Sequence, residues 1–598
     1  MRCERLSLNC VMSHFSRQWE FGRIYKLFAL SAFALGISLS SGAQSATTMN
    51  ANSPLGMNLN GIAYYQSELP FLNLFHTAGA WMTHNNSTWD TGEEQYLNLD
   101  SDGYPVSLTG KNEPSTQQFT SAGVLLVRSL PTTANGYYPA GQYVVLYDGQ
   151  GTLAYAFDAS LVSSSPGRDV INVTPSASGI DLRITATDPN HSGNYIRNIR
   201  VVQSQNEAAA NAGQLFNPTF ISLIQKFRAL RFMDWFQTNG NPLSSWSTRP
   251  VLTNAFWGTN KGVPIEVAVK LANTISADAW LNVPHMADDN YITQMATLVH
   301  TQLGTTQKAY VEFSNEVWNG VFAQYNYAVN AGQALWPSQP GGGGGFAWNR
   351  NWYGMRAAQT CDLWKAAWGA DGNRVVCVLA AQAATTYSAT AALDCAYWTS
   401  GAPCSAHGFG AVAIAPYFGF GGVPSVWTSQ ADGGLASLFQ SLYSQNDPSI
   451  PAGGSLNQTY QWETSYISAL AKYKLPMIAY ESGESYESSP ASATAPITNL
   501  YVSANRDTRM GTAYTTYLQN WKANGGQVIM LFNDIGAYGQ FGEWGALESI
   551  MQTTNPLSSA PPKWQAIQNF IGGNSCWWSN CGGTLSATPM APSNLKVH

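Results

Sequence analysis

Charge is scarce in this chain: Asp, Glu, Lys and Arg make up only 11% of it, and their balance is acidic, a formal −6. Such a surface has little to offer a polyanion, so neither nucleic acid nor an anionic membrane is expected as a partner. Cys-x-x-Cys and His-Glu-x-x-His are both missing, and the eight histidines show no ligand spacing. No structural or catalytic zinc and no cofactor is therefore expected, while scattered Asp side chains leave calcium open. Without Gly-x-Ser-x-Gly the usual serine-hydrolase elbow is excluded, and no complete Gly-x-Gly-x-x-Gly or P-loop supports a nucleotide site. The apolar run from Leu27 to Leu39 is shorter than the roughly 20 residues that span a bilayer. Preceded by Arg23 and Lys26 and followed by Ser41-Gly42-Ala43, it reads as a secretory signal, with Met12 as an alternative start.

Export changes the rest of the reading. Loss of residues 1–43 removes five basic side chains and two acidic ones, which takes the formal charge to −9. Six cysteines remain, an even number that in an exported chain reads as disulfides: Cys395 with Cys404, Cys576 with Cys581, and by elimination Cys361 with Cys377. Aromatics are abundant at 12%, including 21 Trp and 29 Tyr, and exposed rings suit stacking on the C–H faces of sugars. Core packing accounts for most of them. A neutral polysaccharide or oligosaccharide is thus the expected partner, bound by a monomer.

The length of 598 residues exceeds one compact core and leaves room beyond the ~250 residues of a (β/α)8 barrel. Apolar strand-like runs begin near Gly56, Leu230, Ala279, Tyr310, Arg374, Ala411, Met477 and Gln527, with helical spacing between the later ones. Eight strands alternating with helices predict an α/β fold, a TIM barrel. From about Gln95 to Gln203 the pattern shifts to short β runs separated by Gly, Asp, Pro and Ser turns, which predicts an inserted antiparallel β-sandwich. That insert is read either as a polysaccharide-binding module or as a packing wall for the cleft. The predicted organisation is residues 1–45 signal and cleavage region, 46–94 first barrel strand and following segment, 95–203 insert, 204–572 remainder of the barrel, and 573–598 disulfide loop and flexible tail.

The chemistry is sought where strands end in carboxylates. In Tyr310-Val311-Glu312-Phe313-Ser314-Asn315-Glu316, Val311 and Phe313 alternate with Glu312, Ser314 and Glu316, which a period of two places on one face. Three strands later, Met477-Ile478-Ala479-Tyr480-Glu481-Ser482-Gly483 ends in a second carboxylate, with Glu484 as its rival in the same loop and Gly483 permitting the turn. Glu312, on the same face two pleats deeper than Glu316, is read as a buried structural partner of Arg231. Two carboxyl groups over one barrel mouth are what glycoside cleavage requires: one protonates the leaving oxygen, and the other attacks the anomeric carbon or activates water.

The Glu-x-x-x-Glu spelling with Asn315 before Glu316 resembles the fourth barrel strand of clan A glycoside hydrolases, although many of those families write Asn-Glu-Pro where this chain has Val317. Asn315-Glu316-Val317-Trp318-Asn319 is similar to bacterial barrel proteins, some labelled cellulose-binding. The resemblance implies a retaining reaction with Glu316 as acid and base and Glu481 as nucleophile. It further implies that Arg231 and Tyr417 flank the nucleophile, that Asn315 holds a sugar 2-hydroxyl, and that Trp544 is the platform under the sugar being cleaved. Asn282 and His285 at the third strand end, and Trp318, are further cleft candidates. The expectation is a secreted, endo-acting enzyme of β-linked polysaccharide. The competing expectation is a non-catalytic carbohydrate-binding or adhesion protein on the same scaffold. An esterase or lyase lacks its usual signatures.

Overall fold

The computed structural model describes residues 50–110, 119–419, 422–488, 495–579 and 581. The expected signal segment and the tail from 582 onward lie outside the described residues. Eight parallel strands close into a barrel: β1 (Leu55–Asn58), β2 (Ala229–Arg231), β3 (Asp278–Val283), β4 (Ala309–Phe313), β5 (Val375–Ala381), β6 (Ala411–Ile414), β7 (Met477–Ala479) and β8 (Ile529–Leu531). They neighbour one another in chain order, and β8 pairs back onto β1. This is the (β/α)8 barrel predicted from the alternating runs.

The strand periodicity sorts side chains as the pattern requires. Ala279, Leu281 and Val283 of β3 and Val311 and Phe313 of β4 join the core beneath the surrounding helices. Trp280 and Tyr310 turn the other way and form an interior cluster with Val378, Ala380, Ile478 and Met530. Their rings stack at 5.3 Å, so the barrel is filled rather than hollow. Two residues further along the same strands, Asn282 and Glu312 continue this inner face, in register with each other. The interior therefore passes from apolar to polar toward the C-terminal mouth.

The predicted alternation stops at Phe313. Ser314 and Glu316 have φ of 62° and 40°, the left-handed region that non-glycine residues seldom occupy. Glu316 is thus placed by a turned backbone after the strand and not by the pleat, a correction to the shared-face reading. Such conformations persist only where the surroundings enforce them, and they gather at functional sites.

Between β1 and β2 the chain builds two four-stranded antiparallel sheets. One has the order Met82–His84, Ser121–Leu126, Ile180–Thr187, Gly151–Phe157; the other runs Arg197–Gln203, Gly141–Asp148, Arg168–Val173, Ala159–Ser165. Met82–His84 lies ahead of residue 95, so the first sheet extends beyond the expected start of this region. Alternation again explains the packing. Tyr143 and Val145 belong to the large core shared with the first sheet, while Val144, Leu146 and Val202 form a small cluster on the opposite face.

Disulfides join Cys361 to Cys377, Cys395 to Cys404 and Cys576 to Cys581, the pairs expected from the sequence. The first ties the long helix Phe346–Trp368 to β5. None of the described helices is long and apolar enough to cross a membrane.

Candidate active site

Arg231, the last residue of β2, is fully buried and organises the barrel mouth. Its Nε and Nη2 donate to the Glu312 carboxylate at 3.0 and 2.9 Å, and its Nη1 donates to Glu481 Oε1 at 2.8 Å. Asn58 Oδ1 and Asn315 Oδ1 accept its remaining donors at 3.0 and 2.7 Å. The guanidinium also lies 5.1 Å from the Tyr480 ring and 5.8 Å from that of Trp280. Burial works against its charge, but Glu312 and Glu481 outweigh that cost and hold it protonated. Glu312 accepts two further hydrogen bonds, from Trp280 Nε1 at 2.8 Å and Asn282 Nδ2 at 2.9 Å. It is a structural counter-ion beneath the mouth.

Glu481 lies two residues beyond the end of β7 and is 7% exposed. Arg231 engages one of its oxygens, and Tyr417 Oη donates to the other at 3.1 Å. Its sequence rival, Glu484, is turned toward buried Lys563, 3.5 Å away, and accepts from the Tyr486 backbone N–H. Gly483 between them has φ of 130°, and a Cβ there would come 2.8 Å from the Tyr514 hydroxyl, so the turn requires glycine.

Glu316 experiences the opposite environment. Burial and the negative charge of Glu481 push its carboxyl up to about 7, against hydrogen bonds from Asn319 and Tyr480. Those bonds measure 2.8 Å each, from Asn319 Nδ2 to Oε2 and from Tyr480 Oη to Oε1. The negative charge of Glu481 is thus among the causes that keep the Glu316 proton to higher pH than an ordinary carboxyl group would hold it.

The remaining predicted residues fall in two groups. Trp544 packs its ring 5.5 Å from Tyr417 and lines a cleft of about 500 Å³ with Asn60, Asn533 and Phe541. Asn315 is buried, its Oδ1 taken by Arg231 and its Nδ2 donating to Asn239 Oδ1 at 3.1 Å. Asn282 is turned inward, with its amide on Glu312 and on the Ser314 carbonyl. His285 packs edge-on against Tyr327 at 5.1 Å, and burial lowers its imidazole to about 4. Trp318 is half-buried, and its Nε1 has no hydrogen-bond partner among the described residues.

Sequence reasoning did not single out Tyr480, Asn319, Asn58, Asn239 or Asp234. Tyr480 could have been found, because the β7 parity that sends Ile478 inward also sends Tyr480 inward. Asp234, three residues past Arg231, is pushed to about 7 by burial and by Glu481, and no spacing rule would have selected it.

The chain matches no protein-family model, and comparison with curated proteins gives no match. Solved structures similar to it include a GH5-4 broad specificity endoglucanase from Clostridium acetobutylicum, at 12% identity and TM-score 0.32, covering 59% of this chain and 88% of that one. A family 5 xyloglucanase from Paenibacillus pabuli is 12% identical with TM-score 0.33, covering 60% and 90%. A Bacteroides ovatus GH5 xyloglucanase is 9% identical with TM-score 0.31, covering 76% and 96%. The chemistry proposed for this chain rests on its own side chains.

Proposed function

We propose that this protein is an exported retaining glycoside hydrolase that cleaves β-linked polysaccharide within the chain. The observation that carries the proposal is the contrast between Glu481, clamped by Arg231 and Tyr417, and Glu316, whose proton is held up to about 7. In the first step a Glu481 oxygen attacks the anomeric carbon while the Glu316 proton passes to the departing glycosidic oxygen, giving a glycosyl ester and a Glu316 carboxylate. In the second step that carboxylate takes a proton from water, whose oxygen displaces Glu481. Two inversions at one carbon restore the starting configuration. Arg231 stabilises the attacking carboxylate and later receives it as leaving group. Trp544 and Tyr417 supply ring faces for the sugar. The three disulfides support export to an oxidising compartment.

The test is a panel of cellulose derivatives, mixed-linkage glucan, xyloglucan, xylan and mannan assayed for new reducing ends, with NMR of the anomer first formed. Release with retained configuration, lost in Glu316→Gln and Glu481→Gln, supports the proposal. Retention of a polysaccharide by the wild type with no reducing ends released refutes it in favour of a carbohydrate-binding protein.

A further inference from the structure

The cleft beside Trp544 takes in Arg128 and Ser129, which follow a strand of the antiparallel sheets. We infer that a glycan held there extends onto the antiparallel sheets, across Arg128 to the exposed rings of Phe157 and Trp89, so that these sheets supply distal sugar-binding positions. This deepens the reading above, because the occupant is the same polysaccharide.

The cleft is lined by Tyr64, Tyr65, Phe541 and Trp544 from loops of the barrel and by Arg128 from the end of the strand Ser121–Leu126. Tyr65 is 52% exposed and Phe541 75%. From Arg128 the surface leads outward. Its guanidinium carbon lies 5.6 Å from the Phe157 ring, that ring lies 6.1 Å from Trp89, and the Arg183 guanidinium lies 5.8 Å from the Trp89 ring. Phe157 and Trp89 are 50% and 41% exposed.

These groups are held in place. Arg128 sits between Val127 and Ser129, whose φ values of 47° and 59° mark a strained segment. That segment is pinned by Arg128 N–H to the Tyr64 carbonyl at 2.9 Å and by Ser129 N–H to the Ala177 carbonyl at 2.8 Å. The Trp89 ring packs against His84 at 5.4 Å, and Arg183 is fixed by Asp181 at 2.6 Å. Arg128 brings a guanidinium, a planar group of N–H donors, to the lining of the cleft. Aromatic faces alternating with a planar donor suit a pyranose chain, which presents C–H faces and hydroxyl edges in turn. A protein partner would call for a continuous apolar patch instead.

The test uses the full chain and the polysaccharide panel above. In the Trp89→Ala/Phe157→Ala variant, KM for the polymer that the wild type cleaves should rise about tenfold relative to KM for a trisaccharide of the same linkage, the size expected for losing two aromatic anchors. In the Glu481→Gln background, retention of that polymer in affinity electrophoresis should weaken on adding either those two changes or Arg128→Gln. An unchanged KM ratio together with unchanged retention overturns the inference and leaves the hydrolase reading standing. Retention that depends on Trp89 and Phe157 in a protein that cleaves nothing supports the inference while the hydrolase reading fails. Retention of no polymer on the panel overturns the inference as well.

Discussion

One edge of the Arg231 guanidinium grips the Glu312 carboxylate at 2.9 Å, and its Nη1 donates to Glu481 at 2.8 Å. A single buried cation therefore serves both a structural counter-ion and the proposed nucleophile. Arg231→Met leaves two carboxylates without it and should cost about 3–5 kcal/mol, the scale for breaking a buried pair. Equilibrium denaturation measures this. Adding Glu312→Gln should recover part of the loss, because it removes one stranded charge. Arg231→Met as stable as the wild type would show that the cluster does not depend on the cation.

Hydrolysis should depend on a group that loses its proton near pH 7. As the proposed acid, Glu316 can act only while protonated, so kcat/KM should fall as pH rises through about 7, the value to which burial and Glu481 push it. Tyr480 Oη donates to the Glu316 carboxylate and favours its charged form. Tyr480→Phe should therefore move this limb to higher pH. A limb displaced to lower pH would contradict the assignment.

The same shift makes a stability prediction of opposite sense to that of an ordinary paired carboxylate. The folded state keeps the Glu316 proton to higher pH than the unfolded chain, so folding is favoured at low pH. Stability is then lost as pH rises from the usual carboxyl range through about 7. Glu316→Gln removes that loss. Its thermal midpoint should exceed the wild type's by about 2 °C at pH 8 and match it at pH 4, as scanning calorimetry would show.

The bridge between Cys361 and Cys377 closes a loop of sequence separation 16 between a helix and β5, and both cysteines are buried. Replacing the pair by alanine should destabilise the fold by about 3 kcal/mol through the freed unfolded chain. The comparison is the urea midpoint of the double variant against that of the oxidised parent. No change on loss of the bridge would mean that packing alone locks the helix to the strand.

Much of the barrel was legible because its signal is local. Ala411-Val412-Ala413-Ile414 and Met477-Ile478-Ala479 are short apolar runs bounded by turn residues, and both became strands. The start of the helix Phe346–Trp368 is not legible along the chain, since Gly341 to Gly345 suggest a loop and do not indicate where a helix begins. In the helices Ala323–Leu335 and Tyr387–Asp394 small and polar residues blur the helical period, whereas Leu435–Tyr443 carries Leu435, Leu438, Phe439 and Leu442 at helical spacing. At the site, strands ending in carboxylates pointed to Glu316 and Glu481, and the resemblance to clan A glycoside hydrolases pointed to Arg231. The roles of Tyr480, Asn319 and Asn239 depend on contacts that join residues far apart in the chain, such as Tyr480 to Glu316, 164 positions away.

The sequence by itself determined that eight strands alternate with helices, that two carboxylates follow the fourth and seventh strands, and that six cysteines stand at pairable positions. These follow from periodicity and composition, which neighbouring residues define. Only the tertiary structure decided that Glu316 keeps its proton up to about 7. That depends on what surrounds it: burial beside the negative charge of Glu481, which is itself held in place by Arg231 and Tyr417. Electrostatic energies are set by distance and desolvation in space, and neither quantity is written along the chain.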